Sequence, residues 1–262
     1  MELLFAGRIE DYLREAAIDA DPCIFVHVPK TAGTSLRSEI AGFLQPDVNI
    51  VVDYNDTSRS FHDRIDDAVT RFLARSATQP VRFASGHILD RHVTRIRARF
   101  PGARFVTFLR SPVERVVSDY RYQRSTRHPV HRDFIAAVPS LDAYLDIGPE
   151  QNKMAQHLVP PELVARGDVA ACIDHVMRGY AFVGIQEMYP ISFRLLTTLL
   201  GQPMWPRVRE NVNNENEADR RVTPEQIRRI RDANALDAAL YDHFAGGLAA
   251  VRDRLAERLT LG

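Results

Sequence analysis

Short apolar runs alternate with stretches of helical periodicity along most of this chain. Five runs have the length and apolar content of buried strands, at 23–28, 49–53, 81–84, 104–109 and 181–184. Helical patterns follow at 34–44, 61–75, 112–124 and 191–200. Such alternation is typical of βαβ units, in which each crossover helix returns the chain to a parallel strand. The pattern predicts an α/β fold built on a parallel sheet.

Two helix starts carry capping signals. Residues 111–114 read Ser-Pro-Val-Glu, with an N-cap Ser111, a Pro at the first helical position and an acid at the third. Residues 223–226 repeat this pattern and predict C-terminal helices over 223–258, with a break near Asn234. Since no repeat, low-complexity tract or linker divides the chain, we expect one domain over 1–262, with its core at about 22–245.

Composition excludes several classes of function. The 34 basic and 34 acidic residues give no net charge, so a broad surface for nucleic acid is not expected. No apolar run reaches the roughly 18 residues of a membrane span, and the first twenty residues do not resemble a signal peptide. Cys23 and Cys172 are too few for a disulfide framework. We expect a cytoplasmic protein without an integral membrane segment; a homodimer stays open.

A pattern suited to phosphate follows the first predicted strand. Its residues are small or hydroxylated apart from one lysine: Lys30, Thr31, Ala32, Gly33, Thr34 and Ser35. Backbone N–H groups at a helix start, together with the helix dipole, favour an anion there. In this segment the lysine lies three residues before the only glycine. In the nucleotide-triphosphatase loop the lysine directly follows a glycine, so the order here is wrong for that loop. A simple tight turn into a helix remains the alternative.

Lysine is scarce in this sequence. Arginine accounts for 32 of the 34 basic residues, and the only lysines are Lys30 and Lys153. A lysine kept within a small-residue loop suggests a role that a guanidinium cannot fill, such as a compact charge beside a leaving-group oxygen.

A second anion site is predicted where the fourth strand ends. Arg110 lies at the carboxyl edge of that strand, where open α/β sheets bind ligands. Ser118 follows Ser111 by about two helical turns and shares its helix face, so a phosphate could lie between Arg110 and Ser118. An ion pair of Arg110 with Glu114 or Asp119, and a surface hydroxyl at position 118, are the alternatives.

Together, VPKTAGTSL at 28–36 and FLRSPVERVVSDY at 108–120 resemble the two nucleotide-binding motifs of the sulfotransferase superfamily, specifically the branch of carbohydrate 2-O-sulfotransferases and their bacterial relatives. Gly86-His87 and the segments 182–201 and 234–244 agree with this resemblance. It implies a three-layer, P-loop-like α/β fold and the donor 3'-phosphoadenosine 5'-phosphosulfate (PAPS), used without a metal. It also implies that 30–35 hold the 5'-phosphosulfate and that Arg110 and Ser118 hold the 3'-phosphate.

The resemblance also implies catalytic roles. Lys30 would stabilise charge at the leaving group, and His87, directly after a strand, would remove the acceptor proton. His27 lies within a strand, so we expect a structural or supporting role for it. His92, His128 and His131 are weaker candidates. Asn152 fits the family, but Ala155-Gln156 replaces its usual Thr-Arg pair, which puts the neighbouring roles in doubt.

We expect the acceptor to be a hydroxyl of a carbohydrate, a glycolipid or a small metabolite, since the positive bias over 115–132 is too weak to predict a polyanion. The polar segment 204–222, with Arg207, Arg209, Arg220 and Arg221, is expected to form a loop that covers the nucleotide, with a solvated charged loop as the alternative. Two other functions stay open. One is an ATP-dependent and Mg²⁺-dependent kinase of related fold, and the other is a nucleotide-binding module without catalysis.

Overall fold

A computed structural model describes residues 1–19, 21–53, 56, 58–128, 130–207 and 222–260. In that part of the chain, five parallel strands form one sheet: β1 Cys23–Val26, β2 Asp47–Ile50, β3 Phe83–Gly86, β4 Arg104–Leu109 and β5 Phe182–Ile185. Their order is β2-β3-β1-β4-β5, so β1 lies in the middle. Val26, the last residue of β1, pairs with Gly86 on one side and Thr107 on the other. The loops after β1, β3 and β4 therefore leave the sheet at one edge.

Helices flank the sheet. They are α1 Glu2–Phe5, α2 Ile9–Glu15, α3 Gly33–Ala41, α4 Phe61–Arg75, α5 Asp90–Arg99, α6 Pro112–Arg124, α7 His131–Ala137, α8 Leu141–Leu145, α9 Lys153–Leu158, α10 Pro161–Arg166, α11 Val169–Gly179, α12 Tyr189–Leu199, α13 Pro224–Ala233 and α14 Ala235–Thr260. Short 3-10 helices cover Gly148–Glu150 and Gln186–Met188. This arrangement confirms the predicted fold class, a three-layer α/β sandwich on a parallel sheet.

Both faces of the sheet are covered, since every residue of β1, β3 and β5 is buried. The long α14 packs against α1, α9, α11 and α12 and buries an apolar stripe that includes Phe244 and Leu248. Cys23 and Cys172 are buried free thiols. In the described ranges, no helix is both long and apolar enough to cross a bilayer.

The predicted bounds of β4, α4 and α6 are confirmed, whereas β2 and β3 are displaced. The strand predicted at 49–53 is observed at Asp47–Ile50, and the one predicted at 81–84 is observed at Phe83–Gly86. The reason is register, because Asp47 pairs with Phe83 and Ile50 with Gly86. Valines 51 and 52 lie beyond the ladder. The helices α1, α2, α5 and α7 to α11 are not in the sequence prediction.

The two predicted helix starts differ in the structure. At α13, Thr223 Oγ1 accepts from the Gln226 N–H and Gln226 Oε1 accepts from the Thr223 N–H, so the capping box is confirmed. At α6, Ser111 is the N-cap, but its hydroxyl makes no capping bond within the described residues, and its N–H donates to Glu187 Oε1 at 2.9 Å. Asn234 ends α13, as predicted.

Residues 204–207 are irregular, and the Arg207 N–H donates to Glu39 Oε2 at 2.7 Å. The rest of the predicted nucleotide-covering segment, with Arg209, Arg220 and Arg221, lies outside the described residues.

Candidate active site

The loop between β1 and α3 has an unusual backbone. Lys30 and Ala32 adopt left-handed conformations, with φ of 71° and 66°. This conformation costs a residue with a Cβ roughly 1–2 kcal/mol, so it persists only where the surroundings hold it. Thr31 holds it here, because its buried hydroxyl donates to the Val28 carbonyl at 2.9 Å. The Thr31 hydroxyl is thus engaged within the loop. Only the backbone N–H of Thr31 is left for the predicted contact with the donor's 5'-phosphosulfate.

The N-terminus of α3 continues this loop. Ala32 is its N-cap, and no side chain among the described residues caps it. Thr34 is exposed and Ser35 is buried. A Cβ on Gly33 would lie 2.0 Å from His27 Cδ2, so only glycine lets the His27 ring rest against the loop. The loop and the uncapped helix start together form a concave array of backbone donors suited to an anion.

The His27 and His87 rings lie in contact beside this loop, tilted by 33° to each other. Their ring centroids are 4.2 Å apart, and the His27 ring stacks in turn on Phe25 at 5.3 Å. His87 Nδ1 lies 2.7 Å from the His27 carbonyl oxygen. A carbonyl only accepts, so Nδ1 carries the proton and Nε2 keeps its lone pair in the neutral ring. His27 therefore orients His87 through both its ring and its backbone.

Both rings are held neutral. Burial lowers the pKa of His87, against a smaller opposing effect of the hydrogen bond to the His27 carbonyl and of Asp119. Burial also lowers the pKa of His27, and a positive charge on His87 would lower it further. A neutral His87 with a free lone pair on Nε2 has the form that a general base needs.

A third histidine, His157 on α9, completes what we call the histidine cluster: His27, His87 and His157. His157 Nδ1 lies 2.9 Å from the Ile88 carbonyl oxygen, and burial lowers its pKa to about 3. The sequence reasoning missed His157, since no motif surrounds it and α9 was not predicted. Among the described residues, no group of three or more His, Cys, Asp or Glu could hold a metal ion.

Arg110 reaches the same loop from the end of β4. Its Nη1 donates to the Lys30 carbonyl at 3.2 Å, and its Nη2 lies 3.6 Å from Glu114 Oε2. The ion pair of Arg110 with Glu114, which is one of the alternatives above, is thus present with a long N–O distance. Arg110 also contacts the loop that holds Lys30. Burial lowers the pKa of Arg110, against the effect of Glu114 and Glu187.

Helix α6 carries the predicted Ser118 and, one turn further, Tyr122. Ser118 is half-buried on α6. Tyr122, in the last turn, places its ring 4.2 Å from Lys30 Nζ, a cation–π contact. The structure therefore places Lys30, His87 and Arg110 around one loop.

His92, a weaker candidate for the base, is fully buried on α5. Its Nε2 lies 2.5 Å from Asp66 Oδ1 and its Nδ1 accepts from the Leu89 N–H at 2.9 Å. Its two ring nitrogens are thus both engaged, which fits a structural histidine.

Asn152 belongs to a second buried polar group, the helix-junction cluster: Arg115, Asp119, Asn152, Asn234 and Asp237. Asn152 Oδ1 accepts from the N–H groups of Leu236 and Asp237 at the start of α14, at 3.0 and 3.2 Å. In return, the Asp237 carboxylate accepts from Met154 and Ala155 at the start of α9, at 3.0 and 2.8 Å. Each helix start is capped by a residue of the other.

The guanidinium of Arg115 closes this cluster. It is fully buried, with Nη1 3.2 Å from Asp119 Oδ2 and Nε 3.9 Å from Asp237 Oδ2. Lys153, the second lysine, lies nearby and pairs with Glu150 at 3.0 Å. Asn152 and Lys153 therefore have structural partners.

Comparison with known proteins adds a family assignment. The family model described as galactose-3-O-sulfotransferase matches residues 12–259. No curated protein sequence matches the chain significantly.

Two solved structures are similar to this chain. A sulfotransferase from Alicyclobacillus acidocaldarius is 16% identical, with 85% of this chain and 95% of that one covered and a TM-score of 0.45. Mouse sulfotransferase SULT7A1, complexed with PAP, is 13% identical, with 88% and 93% covered and a TM-score of 0.47.

Proposed function

Because the chain belongs to the galactose-3-O-sulfotransferase family, we propose that it transfers a sulfuryl group from PAPS to a hydroxyl of a carbohydrate acceptor. Membership confirms the sulfotransferase superfamily that the two sequence motifs predicted, and makes the chain a sulfuryl-transferring enzyme. The narrower prediction, the 2-O-sulfotransferase branch, is not confirmed, because the matching family is named for 3-O transfer to galactose.

The convergence of Lys30, His87 and Arg110 on one loop carries this proposal. A donor with two anionic groups needs two local anion sites. The chain has no net charge, but it places positive charge locally at Lys30 and at Arg110. The left-handed loop and open helix start at 30–35 fit a phosphosulfate, and Arg110 with Ser118 fits a 3'-phosphate. When bound, PAPS supplies a sulfuryl group activated by a phosphate leaving group.

Lys30 and His87 then have complementary tasks. As the acceptor oxygen forms its bond to sulfur, the bond from sulfur to the phosphate oxygen breaks and negative charge develops on that oxygen. The Lys30 ammonium stabilises this charge more in the transition state than in the ground state. His87 Nε2 takes the proton that the acceptor hydroxyl releases, because its lone pair is available.

Transfer of radiolabelled sulfate from PAPS to a galactoside tests this function. We expect transfer by the wild type and its near loss in Lys30→Ala and His87→Ala. Lys153→Ala is the matched control for the first variant, since Lys153 is the only other lysine and has structural partners. The exposed His243 gives the control His243→Ala for the second.

The outcomes separate the alternatives. PAPS-dependent transfer that survives both site variants would remove Lys30 and His87 from the mechanism. Phosphate transfer from ATP with Mg²⁺, without sulfate transfer, would identify the kinase instead. Binding of PAPS without any turnover would indicate the non-catalytic module.

A further inference from the structure

The backbone of Lys30 is held in place, but this does not fix the position of its ammonium group. Arg110 donates to the Lys30 carbonyl at 3.2 Å, and the left-handed loop sets the φ of Lys30 to 71°. A flexible four-carbon stem separates that backbone from the charge. A displacement of about 1 Å at a reacting group can cost roughly 100-fold in rate. A lysine that acts on a single oxygen atom therefore needs a contact at its Nζ as well.

The Tyr122 ring makes such a contact. Lys30 Nζ lies 4.2 Å from the ring centroid, well inside the roughly 6 Å over which a ring attracts a cation. The attraction comes from the electron-rich face of the ring, so it holds the ammonium without neutralising it. A carboxylate in the same place would offset the charge that a leaving oxygen needs. The contact with Tyr122 thus orients Lys30 and leaves its charge available to the donor.

The Tyr122 ring has a defined position of its own. The His128 ring meets it edge to face, with centroids 5.3 Å apart and an angle of 81° between the rings. Ser125 closes the turn between them, because its N–H and its hydroxyl both donate to the Tyr122 carbonyl, at 3.0 and 2.8 Å. The His128 N–H donates to the Ser125 carbonyl at 3.0 Å. The chain after α6 therefore folds back on Tyr122 and supports its ring, although 37% of the residue is exposed.

The ammonium held over this ring lies within the candidate site. The Lys30 charge lowers the pKa of His27 and of His87, so it acts on both rings beside the loop. Tyr122 also follows Ser118 by four residues, which places the two side chains on one face of α6. The ring that contacts Lys30 is therefore on the helix face that carries the proposed 3'-phosphate residue.

We infer that Tyr122 is a positioning residue, which holds the Lys30 ammonium at the leaving-group oxygen through the face of its ring. This inference rests on the proposed function. Because the ring face makes the contact, phenylalanine should replace tyrosine at this position and leucine should not.

NMR of the lysine side chains tests the contact without any assay of activity. The chain has only two lysines, so protein made with isotopically labelled lysine gives two sets of signals. Lys153, which contacts the Pro149 carbonyl and Glu150, is the internal reference. We expect the Cε protons of Lys30 to lie upfield of those of Lys153, because a ring face shields protons above it. This upfield shift should persist in Tyr122→Phe and disappear in Tyr122→Leu. An identical Lys30 shift in the wild type and in Tyr122→Leu would overturn the inference.

Kinetics of sulfate transfer from PAPS to the galactoside tests the positioning role. We expect kcat to fall roughly 5- to 30-fold in Tyr122→Leu, as for loss of a partly buried cation–π contact, with less than about a twofold change in the KM for PAPS. Tyr122→Phe should restore kcat to within about twofold of the wild type. Phe100→Leu is the matched control and should keep normal kcat. The Phe100 ring also contacts a basic side chain, that of Arg99, but at the end of α5, which carries none of the proposed catalytic residues.

A double variant shows whether Tyr122 acts through Lys30. In the Lys30→Ala background, Tyr122→Leu should lower the residual transfer by less than about twofold, because the group that it positions is gone. A normal kcat in Tyr122→Leu, an equal loss in Tyr122→Phe, or an equal loss in both Lys30 backgrounds would overturn the inference alone. No sulfate transfer by the wild type would instead overturn the proposed function and, with it, the role given to Tyr122.

Discussion

Two buried polar clusters lie in this molecule, and they differ in how their polar groups are used. In the helix-junction cluster, Asn152 and Asp237 cap each other's helices and Arg115 lies between two carboxylates. In the histidine cluster, His87 and His157 bond to backbone carbonyls through Nδ1, which leaves Nε2 with its lone pair. Side chains that bond to one another stabilise a fold, whereas an available lone pair beside an uncapped helix start can accept a proton.

The two clusters also differ in charge. The helix-junction cluster is ionic, since one guanidinium, that of Arg115, lies between the Asp119 and Asp237 carboxylates. The histidine cluster is neutral, because burial lowers the pKa of all three rings. Substitutions in the first should therefore change stability, and those in the second should change turnover.

Asp237→Ala should give the largest effect. It removes the cap of α9 and one of the carboxylates beside buried Arg115, so we expect a loss of about 3–5 kcal/mol in the free energy of unfolding. Urea denaturation measures this loss. The exposed Asp242, on the same helix, gives the control Asp242→Ala, which should stay within about 0.5 kcal/mol of the wild type. A stable Asp237→Ala protein would show that the cluster does not hold the helices.

His87→Ala and Lys30→Ala should have the opposite profile. We expect kcat to fall by roughly 100- to 1,000-fold in each, the range for a lost base or a lost charge-stabilising group. The unfolding free energy should change little, because neither residue supports a helix start. Steady-state kinetics checks the fall in kcat, and urea denaturation of the same preparations checks the free energy of unfolding. A large loss of stability with normal kcat would show that these residues are structural.

His27 should have a smaller, pH-dependent effect. His87 must be neutral to act, so kcat/KM should persist below pH 6.5 and decline as the pH falls through its lowered pKa. His27→Ala admits water beside His87 and reduces the desolvation, so the acidic limb should move to higher pH. We also expect kcat to fall about tenfold, less than the roughly 100-fold that a 1 Å misplacement can cost.

His27→Phe keeps the stacked ring against Gly33 and His87. Its acidic limb should stay in the wild-type position, as seen in the pH profile of kcat/KM. Identical profiles for the alanine and phenylalanine variants would remove His27 from the positioning of His87.

Asn152→Ala should have the smallest effect of the set. It removes the cap of α14, which is worth about 1 kcal/mol, and urea denaturation can resolve a change of this size. Binding of 3'-phosphoadenosine 5'-phosphate (PAP) should remain normal. If instead PAP binding is lost while stability is retained, Asn152 would be a ligand-binding residue, and the separation of the two clusters would break down.

The positions of the candidate site residues follow from the sequence more directly than the contacts that support them. Lys30, His87 and Arg110 each follow a strand of a parallel sheet, and the carboxyl ends of neighbouring parallel strands must share one edge. Their convergence could therefore be predicted from local patterns. Nothing local showed that the His27 ring rests against Gly33.

The remaining contacts have no local signal. Asn152 caps a helix that begins more than eighty residues later, and His157 comes from a short helix with no strong periodicity. Such contacts are set by tertiary packing, which one sequence without relatives does not reveal.

If the β1 loop and its histidines bind a phosphoadenosine donor, PAP should raise the stability of the protein against thermal unfolding. A ligand that binds only the native state stabilises it by about 2.7 kcal/mol at a hundredfold excess over its Kd. We expect this stabilisation with PAP, and much less with ATP and Mg²⁺ at the same concentration. Strong stabilisation by ATP with Mg²⁺ and none by PAP would contradict the account.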